Sequence, residues 1–232
     1  MIAGMGSFLY RGMRSGQSEM QAHEVIIPAG AVRLEGELVI PPEAKGVVLF
    51  AHGSGSSRHS PRNQYVANAL REAGVATLLF DLLTAEEEEQ EAYTRHLRFD
   101  IALLANRLVE ATHWITGQEV ARGLGIGYFG ASTGAAAALA AAAELGRRIN
   151  AVVSRGGRPD LAGAALDRVT AATLLIVGGN DMPVIALNEV AYARLRCEKI
   201  LTLIPGATHL FEEAGALERV SRLASDWFAN HL

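Results

Sequence analysis

The sequence predicts an α/β fold, an open and mostly parallel sheet of eight strands with helices on both faces. Three observations predict it. A short run that is apolar at every position, Val47–Ala51, is followed by similar, mostly apolar runs at Val75–Phe80, Leu124–Phe129, Ala151–Val153, Thr173–Val177 and Ile200–Ile204; such runs suit strands covered on both faces. Helix-length segments separate most of them, which is the alternation of βαβ units. No shift of composition marks a second domain within the 232 residues, and half of the residues are apolar, enough for a large core.

The elements follow in order. Residues 1–21 are rich in Gly, Ser and Met without a period, and are expected to be a flexible leader to a domain over 22–232. His23–Pro28 and Val32–Ile40, joined by Ala29-Gly30, read as an antiparallel hairpin, because Val32, Leu34, Gly36 and Leu38 alternate with polar residues. Helices are expected near 64–73, 94–116, 133–145, 183–196 and 214–229, with a shorter one over 161–169. The acidic run Glu86–Glu89 reads as a solvated loop or helix start.

Composition narrows the function. With 21 basic and 25 acidic residues the net charge is −4, which disfavours a general nucleic-acid binder. All the basic residues except Lys45 and Lys199 are Arg, the side chain better suited to fixed bidentate contacts with anions. Cys197 is the only cysteine, so neither an internal disulfide nor a cysteine metal cluster is expected, and a reducing compartment fits. The first ten residues lack the charge order of a signal peptide, and no run has the roughly 20 apolar residues of a membrane helix. A cytoplasmic protein with neither a membrane nor a nucleic-acid partner is the expectation. The sequence does not specify an oligomeric state.

Ligands of open α/β sheets bind beyond the carboxyl ends of the strands. Four such ends carry polar or Gly-rich residues: His52-Gly53-Ser54-Gly55, Gly130-Ala131-Ser132-Thr133-Gly134, Gly178-Gly179-Asn180-Asp181 and Gly206-Ala207-Thr208-His209. The second is G-x-S-x-G at a strand-to-helix turn, where a strained backbone lifts the serine hydroxyl off the sheet and its neighbours must be small. By itself the pentapeptide is also compatible with a structural turn opening an Ala-rich helix. Asp181 alone reads equally as a helix cap before Pro183, and His209 alone as a surface loop residue. Taken in order, each at a strand end, Ser132, Asp181 and His209 form a nucleophile, an orienting acid and a base. The backbone N–H groups of Ser54 and Thr133 are the expected oxyanion donors, and His52 is expected to brace its loop.

These four segments resemble the α/β-hydrolase superfamily, and most closely its small dienelactone hydrolase-like members. The resemblance spans about residues 23–232. It implies an α/β-hydrolase fold with the second strand antiparallel, little or no lid, and a serine hydrolase that needs no cofactor and cleaves a small ester, thioester or lactone. Dienelactone hydrolase proper uses a cysteine nucleophile, whereas Ser132 stands here. Similar units also occur joined to phosphoribosyltransferase domains, and no such domain is recognised in this sequence. Two other readings use the same residues: acyl transfer to an acceptor other than water, and a binding protein that retains the fold without catalysis.

Two decoys are set aside. Gly125-Ile126-Gly127-Tyr128-Phe129-Gly130 spells G-x-G-x-x-G, but its glycines lie inside a strand instead of opening a helix. The histidines lack metal-ligand spacing, so no catalytic metal is expected. Arg155 and Arg58, in loops beyond strand ends, are candidate binders of an anionic substrate group, Arg155 being the better placed.

Overall fold

The computed structural model describes residues 21–94 and 96–232. Eight strands, β1 (Ala22–Ala29), β2 (Val32–Val39), β3 (Gly46–Ala51), β4 (Ala76–Phe80), β5 (Gly125–Ala131), β6 (Ala151–Arg155), β7 (Ala172–Gly178) and β8 (Lys199–Ile204), form one sheet in the order β1-β2-β4-β3-β5-β6-β7-β8. β2 runs antiparallel to both β1 and β4, and the other neighbours are parallel. The hairpin, the parallel runs and the antiparallel second strand are therefore as expected. β3 lies between β4 and β5, so the connections leaving β3 and β5 diverge there. That switch point opens the crevice in which such sheets place a ligand.

Helices α1 (Pro61–Glu72), α2 (Ala85–Thr94), α3 (Ile101–Thr116), α4 (Thr133–Leu145), α5 (Met182–Arg194) and α6 (Ala216–His231) cover the sheet. α1 and α6 share one face with Phe50, Phe129 and Val153, while α3 and α4 pack on the other with Leu49, Tyr128 and Val152. α4 is Ala-rich because it is enclosed: Ala135 to Leu139, Ala141 and Ala142 are all fully buried, and short side chains let neighbouring elements close around it. Among the described residues no helix is long and apolar enough to cross a membrane.

The sequence expectation fails between 84 and 100. A single helix over 94–116 is instead α2, a 3-10 turn over Leu97–Phe99, and α3. Thr84 and Glu87 form a reciprocal cap, with Glu87 N donating to Thr84 Oγ1 (3.2 Å) and Thr84 N to Glu87 Oε2 (2.8 Å). Asp100 then caps α3, accepting from Leu103 N at 3.0 Å, and so ends the continuity. The acidic run begins α2, as one of its two readings held. The segment near 161–169 is a 3-10 stretch, Pro159–Arg168, broken at Gly163 (φ +53°).

Candidate active site

Ser132 joins β5 to α4 with φ +51° and ψ −123°, a conformation that costs a non-glycine residue about 1–3 kcal/mol. Its neighbours show why the motif needs glycines. A Cβ on Gly130 would lie 2.5 Å from Ala135 Cα, and one on Gly134 would lie 2.5 Å from the His52 carbonyl oxygen and nearer still to that of Ala51. Gly53 is equally close: a Cβ there would lie 2.9 Å from Ser132 Cβ. The loop after β3 is therefore pressed directly against the elbow. Ser132 N donates to Arg155 O (3.4 Å), and Ser132 O accepts from Ala135 N (3.1 Å) and Arg158 N (3.0 Å), fixing the turn to the end of β6.

Ser54 and Thr133 stand side by side, their hydroxyls 3.0 Å apart. Among the described residues neither backbone N–H has a protein acceptor, as donors awaiting an oxyanion require. His52 is buried in a single tautomer. Its Nδ1–H donates to Gly53 O (3.0 Å) while Nε2 accepts from Leu82 N–H (3.0 Å). Burial lowers its pKa below the ordinary histidine value, against the smaller raising effects of the Gly53 hydrogen bond and of Asp81. It braces the loop, as the sequence reading held.

The loops after β7 and β8 are laced together. Gly179 N donates to Ile204 O (2.8 Å) and Asn180 N to Ala207 O (2.9 Å), while Gly178 fits against the Ala207 and Thr208 carbonyls, where a Cβ would lie 2.5 Å away. Asp181 sits at the N-cap position of α5, yet its side chain caps nothing. It turns to His209, with Asp181 Oδ2 2.7 Å from His209 Nδ1. Nδ1–H then donates to the carboxylate, and Nε2 is left as the basic nitrogen. Gly156, beside Ser132 at the end of β6, lies under His209: a Cβ there would be 3.1 Å from its carbonyl oxygen. The three sequence-predicted residues thus all lie beyond the carboxyl ends of parallel strands, Ser132 after β5, Asp181 after β7 and His209 after β8. Among the described residues Asp181 and His209 are hydrogen-bonded, and no hydrogen bond joins Ser132 to His209. Such contacts often tighten only when substrate binds.

The two candidate arginines part ways. Arg58 is consumed within the protein: its N–H donates to Asp81 Oδ1 (2.7 Å), Nη1 pairs with Asp81, and Nη2 pairs with Glu35 (2.6 Å). The structure therefore corrects the expectation of substrate binding at Arg58, since two carboxylates already satisfy it as a brace between β2, β4 and the loop after β3. Arg155 has no such partner among the described residues. Sequence reasoning missed the strap over residues 85–99: Ser54 Oγ donates to Arg98 O (3.4 Å), and Arg98 is tied to the fully buried Glu91 (2.8 Å). Only the Thr-x-x-Glu pattern at Thr84 hinted at it. The decoy glycines are also explained. A Cβ on Gly127 would lie 2.6 Å from the Phe228 ring, and one on Gly125 3.1 Å from Leu232, so their bareness admits the C-terminal helix.

A doubly wound sheet with an antiparallel second strand, a strained serine at the central elbow, and an Asp–His pair beyond β7 and β8 defines the α/β-hydrolase class. Comparison with known proteins narrows it. The crystal structure of dienelactone hydrolase from Anabaena variabilis is 61% identical, covers 93% of this chain and 100% of its own, and superposes with a TM-score of 0.91. This chain belongs to the dienelactone hydrolase-like α/β-hydrolases. Est1E from Butyrivibrio proteoclasticus shares the fold (TM-score 0.75, 17% identity, 89% of this chain and 98% of its own). A Mycobacterium tuberculosis protein bearing the name "Putative phosphoribosyl transferase" is 56% identical over 213 residues, 92% of this chain. This chain spans about half, 47%, of that relative's length. No family model matches the chain.

Proposed function

We propose that the protein is a serine hydrolase that cleaves a small ester, thioester or lactone through an acyl-enzyme. Ser132 is the nucleophile, His209 the base and then the acid, and Asp181 the orienting acid. The observation that carries the reading is the Asp181–His209 contact of 2.7 Å, made by an aspartate at a helix-cap position whose side chain forgoes capping. In this reading His209 Nε2 takes the Ser132 hydroxyl proton as Oγ attacks the acyl carbon. The Ser54 and Thr133 N–H groups hold the oxyanion, the proton passes to the leaving group, and water repeats the sequence to free the acid. The membership of the family supports hydrolysis. The transferase name of the longer relative describes a protein of which this chain matches less than half, and we assign it no role in the chemistry of this domain. We further propose that the domain acts on small molecules, without cofactor or metal, in the cytoplasm.

The test is turnover of a panel of activated esters and thioesters. Wild type should hydrolyse some of them, and Ser132→Ala should lower kcat by roughly 10⁴-fold or more without changing the circular dichroism spectrum. Near-normal turnover in that variant refutes the assignment. A reaction that proceeds only with an added alcohol or amine would mark acyl transfer instead.

A further inference from the structure

We infer that the outer edge of β8 is the interface of a twofold-symmetric dimer, in which β8 pairs antiparallel with β8 of a second copy and joins the two sheets into one. The inference goes beyond the hydrolase reading and does not depend on it.

β8 ends the sheet, with β7 on one side and, among the described residues, no strand on the other. Two bonds at its ends fix the direction of its free backbone groups. Glu198 O accepts from Thr173 N and Ile204 O from Gly179 N, both at 2.8 Å, so the even-numbered residues turn their backbone toward β7. Alternation then points the N–H and C=O groups of Lys199, Leu201 and Leu203 outward. Exposed strand edges are commonly blunted by charges or proline. β1, at the other end of the sheet, carries His23, Glu24 and Pro28. β8 has no such guard: Lys199, its one charged residue, spends Nζ on the Tyr192 and Leu195 carbonyls (2.7 and 2.5 Å). Ile200 and Leu203 are meanwhile exposed at 46% and 43%.

The strand itself names the occupant. Ile200-Leu201-Thr202-Leu203-Ile204 is a palindrome, and a twofold contact requires a surface complementary to itself. An antiparallel pair opposes residues of the same face. An axis through Thr202 therefore sets Thr202 against Thr202, Ile200 against Ile204 and Leu201 against Leu203. This register also satisfies the backbone. Leu201 and Leu203, both pointing outward, oppose each other and exchange two N–H···O bonds on each side of the axis. The Thr202 pair falls at the site without backbone bonds, with Cα atoms about 4.5 Å apart, where threonine hydroxyls bond each other. Each exposed apolar side chain meets a more buried one: Ile200 meets Ile204 (1% exposed), and Leu203 meets the half-buried Leu201. Charge agrees with the same axis. A groove of about 490 Å³ between β8 and α6 is lined by Ile200, Thr202, Leu223 and Asp226, which sets Asp226 level with Thr202. The axis reverses α6, so the exposed Arg222, one turn before Asp226, approaches the exposed Asp226 of the other copy.

The test is sedimentation velocity of the full chain at micromolar concentration, joined to cross-linking and amide exchange. Wild type should sediment at twice the chain mass of 24.7 kDa. Thr202→Lys sets two ammonium groups against each other across the axis and should weaken association by at least about 100-fold, while Thr202→Val should keep the dimer. In a Cys197→Ser background, Thr202→Cys should form a disulfide-linked dimer under mild oxidation, its two Cα atoms lying within the reach of about 7 Å. Leu203→Cys should link at least about 10-fold more slowly, because its two copies stand two residues out of register and beyond that reach. The Leu201 and Leu203 amides should exchange at least about 10-fold more slowly in wild type than in Thr202→Lys. A monomeric wild type overturns the inference, and protected Leu201 and Leu203 amides in that monomer would show another stretch of the chain on the edge. A dimer that survives Thr202→Lys, or that links through Leu203→Cys as fast as through Thr202→Cys, uses another surface or register and likewise overturns it. Should Thr202→Lys fail to fold by circular dichroism, the cross-linking pair decides. None of these readouts depends on ester turnover, so failure of the hydrolase reading leaves the inference standing.

Discussion

Gly134→Ala is a perturbation whose magnitude follows from geometry. The new Cβ would sit 2.5 Å from the His52 carbonyl oxygen and closer to that of Ala51. Carbon–oxygen contacts settle near about 3.3 Å, so α4 must move from the sheet by about 1 Å. Nothing there yields cheaply, because both obstacles are backbone and the helix is enclosed on its other sides. Overpacking of this kind costs about 1–3 kcal/mol, which in a chain of this size lowers Tm by roughly 2–12 °C. The same shift displaces the Thr133 N–H, one of the two proposed oxyanion donors, and a misplacement of about 1 Å costs on the order of 10²-fold in rate. Thermal melting by circular dichroism and initial rates on a neutral ester check both numbers. Gly117→Ala is the control: there φ is −79° and the nearest neighbour to a Cβ is 3.4 Å away, so its Tm should move by no more than a degree or two. If Gly134→Ala matched Gly117→Ala in both Tm and rate, the account of the elbow as a backbone-locked turn would be refuted.

Other outcomes are expected. Asp181→Asn should lower kcat by about 10³- to 10⁴-fold, because the imidazole loses its fixed tautomer and the stabiliser of its charged form; a loss under tenfold in steady-state kinetics would contradict the pairing. His52 is held neutral, so its folded pKa is depressed. The unfolded chain then binds the proton first as pH falls, and stability present above about pH 6.5 should decline as pH drops toward the depressed value. His52→Gln should flatten that part of a Tm-against-pH curve, and an unchanged slope would exclude His52 as its source. Thr84→Ala removes the hydroxyl half of a reciprocal cap and should destabilise the strap by about 1 kcal/mol, seen as faster amide exchange over residues 85–94. Unchanged exchange there would show that tertiary contacts hold α2 instead.

How much of this was legible in the sequence depends on how local the determining physics is. β3 and β5 were readable because they are covered on both faces, so every residue is apolar from Val47 to Ala51. The elbow was readable because its glycines answer contacts within a few residues and with the adjacent strand. Asp181 was ambiguous by itself, since a cap and a catalytic acid want the same residue type before Pro183; only a histidine 28 positions later settles which way the side chain turns. The break between α2 and α3 was hidden because helix-compatible residues continue through it, and the signals that end it, Thr84 with Glu87 and Asp100, are single polar side chains. Arg58 and Arg155 look alike in sequence. What separates them is Asp81 and Glu35, brought from other strands to one and not to the other.

Intact-mass analysis after treatment with a fluorophosphonate tests the central claim most directly, because it asks whether one hydroxyl is activated. The account predicts a single adduct per chain, mapped to Ser132 by peptide fragmentation, absent in Ser132→Ala and formed at least 10²-fold more slowly in His209→Gln. An adduct on another residue, or labelling at Ser132 that proceeds as fast without His209, would contradict it.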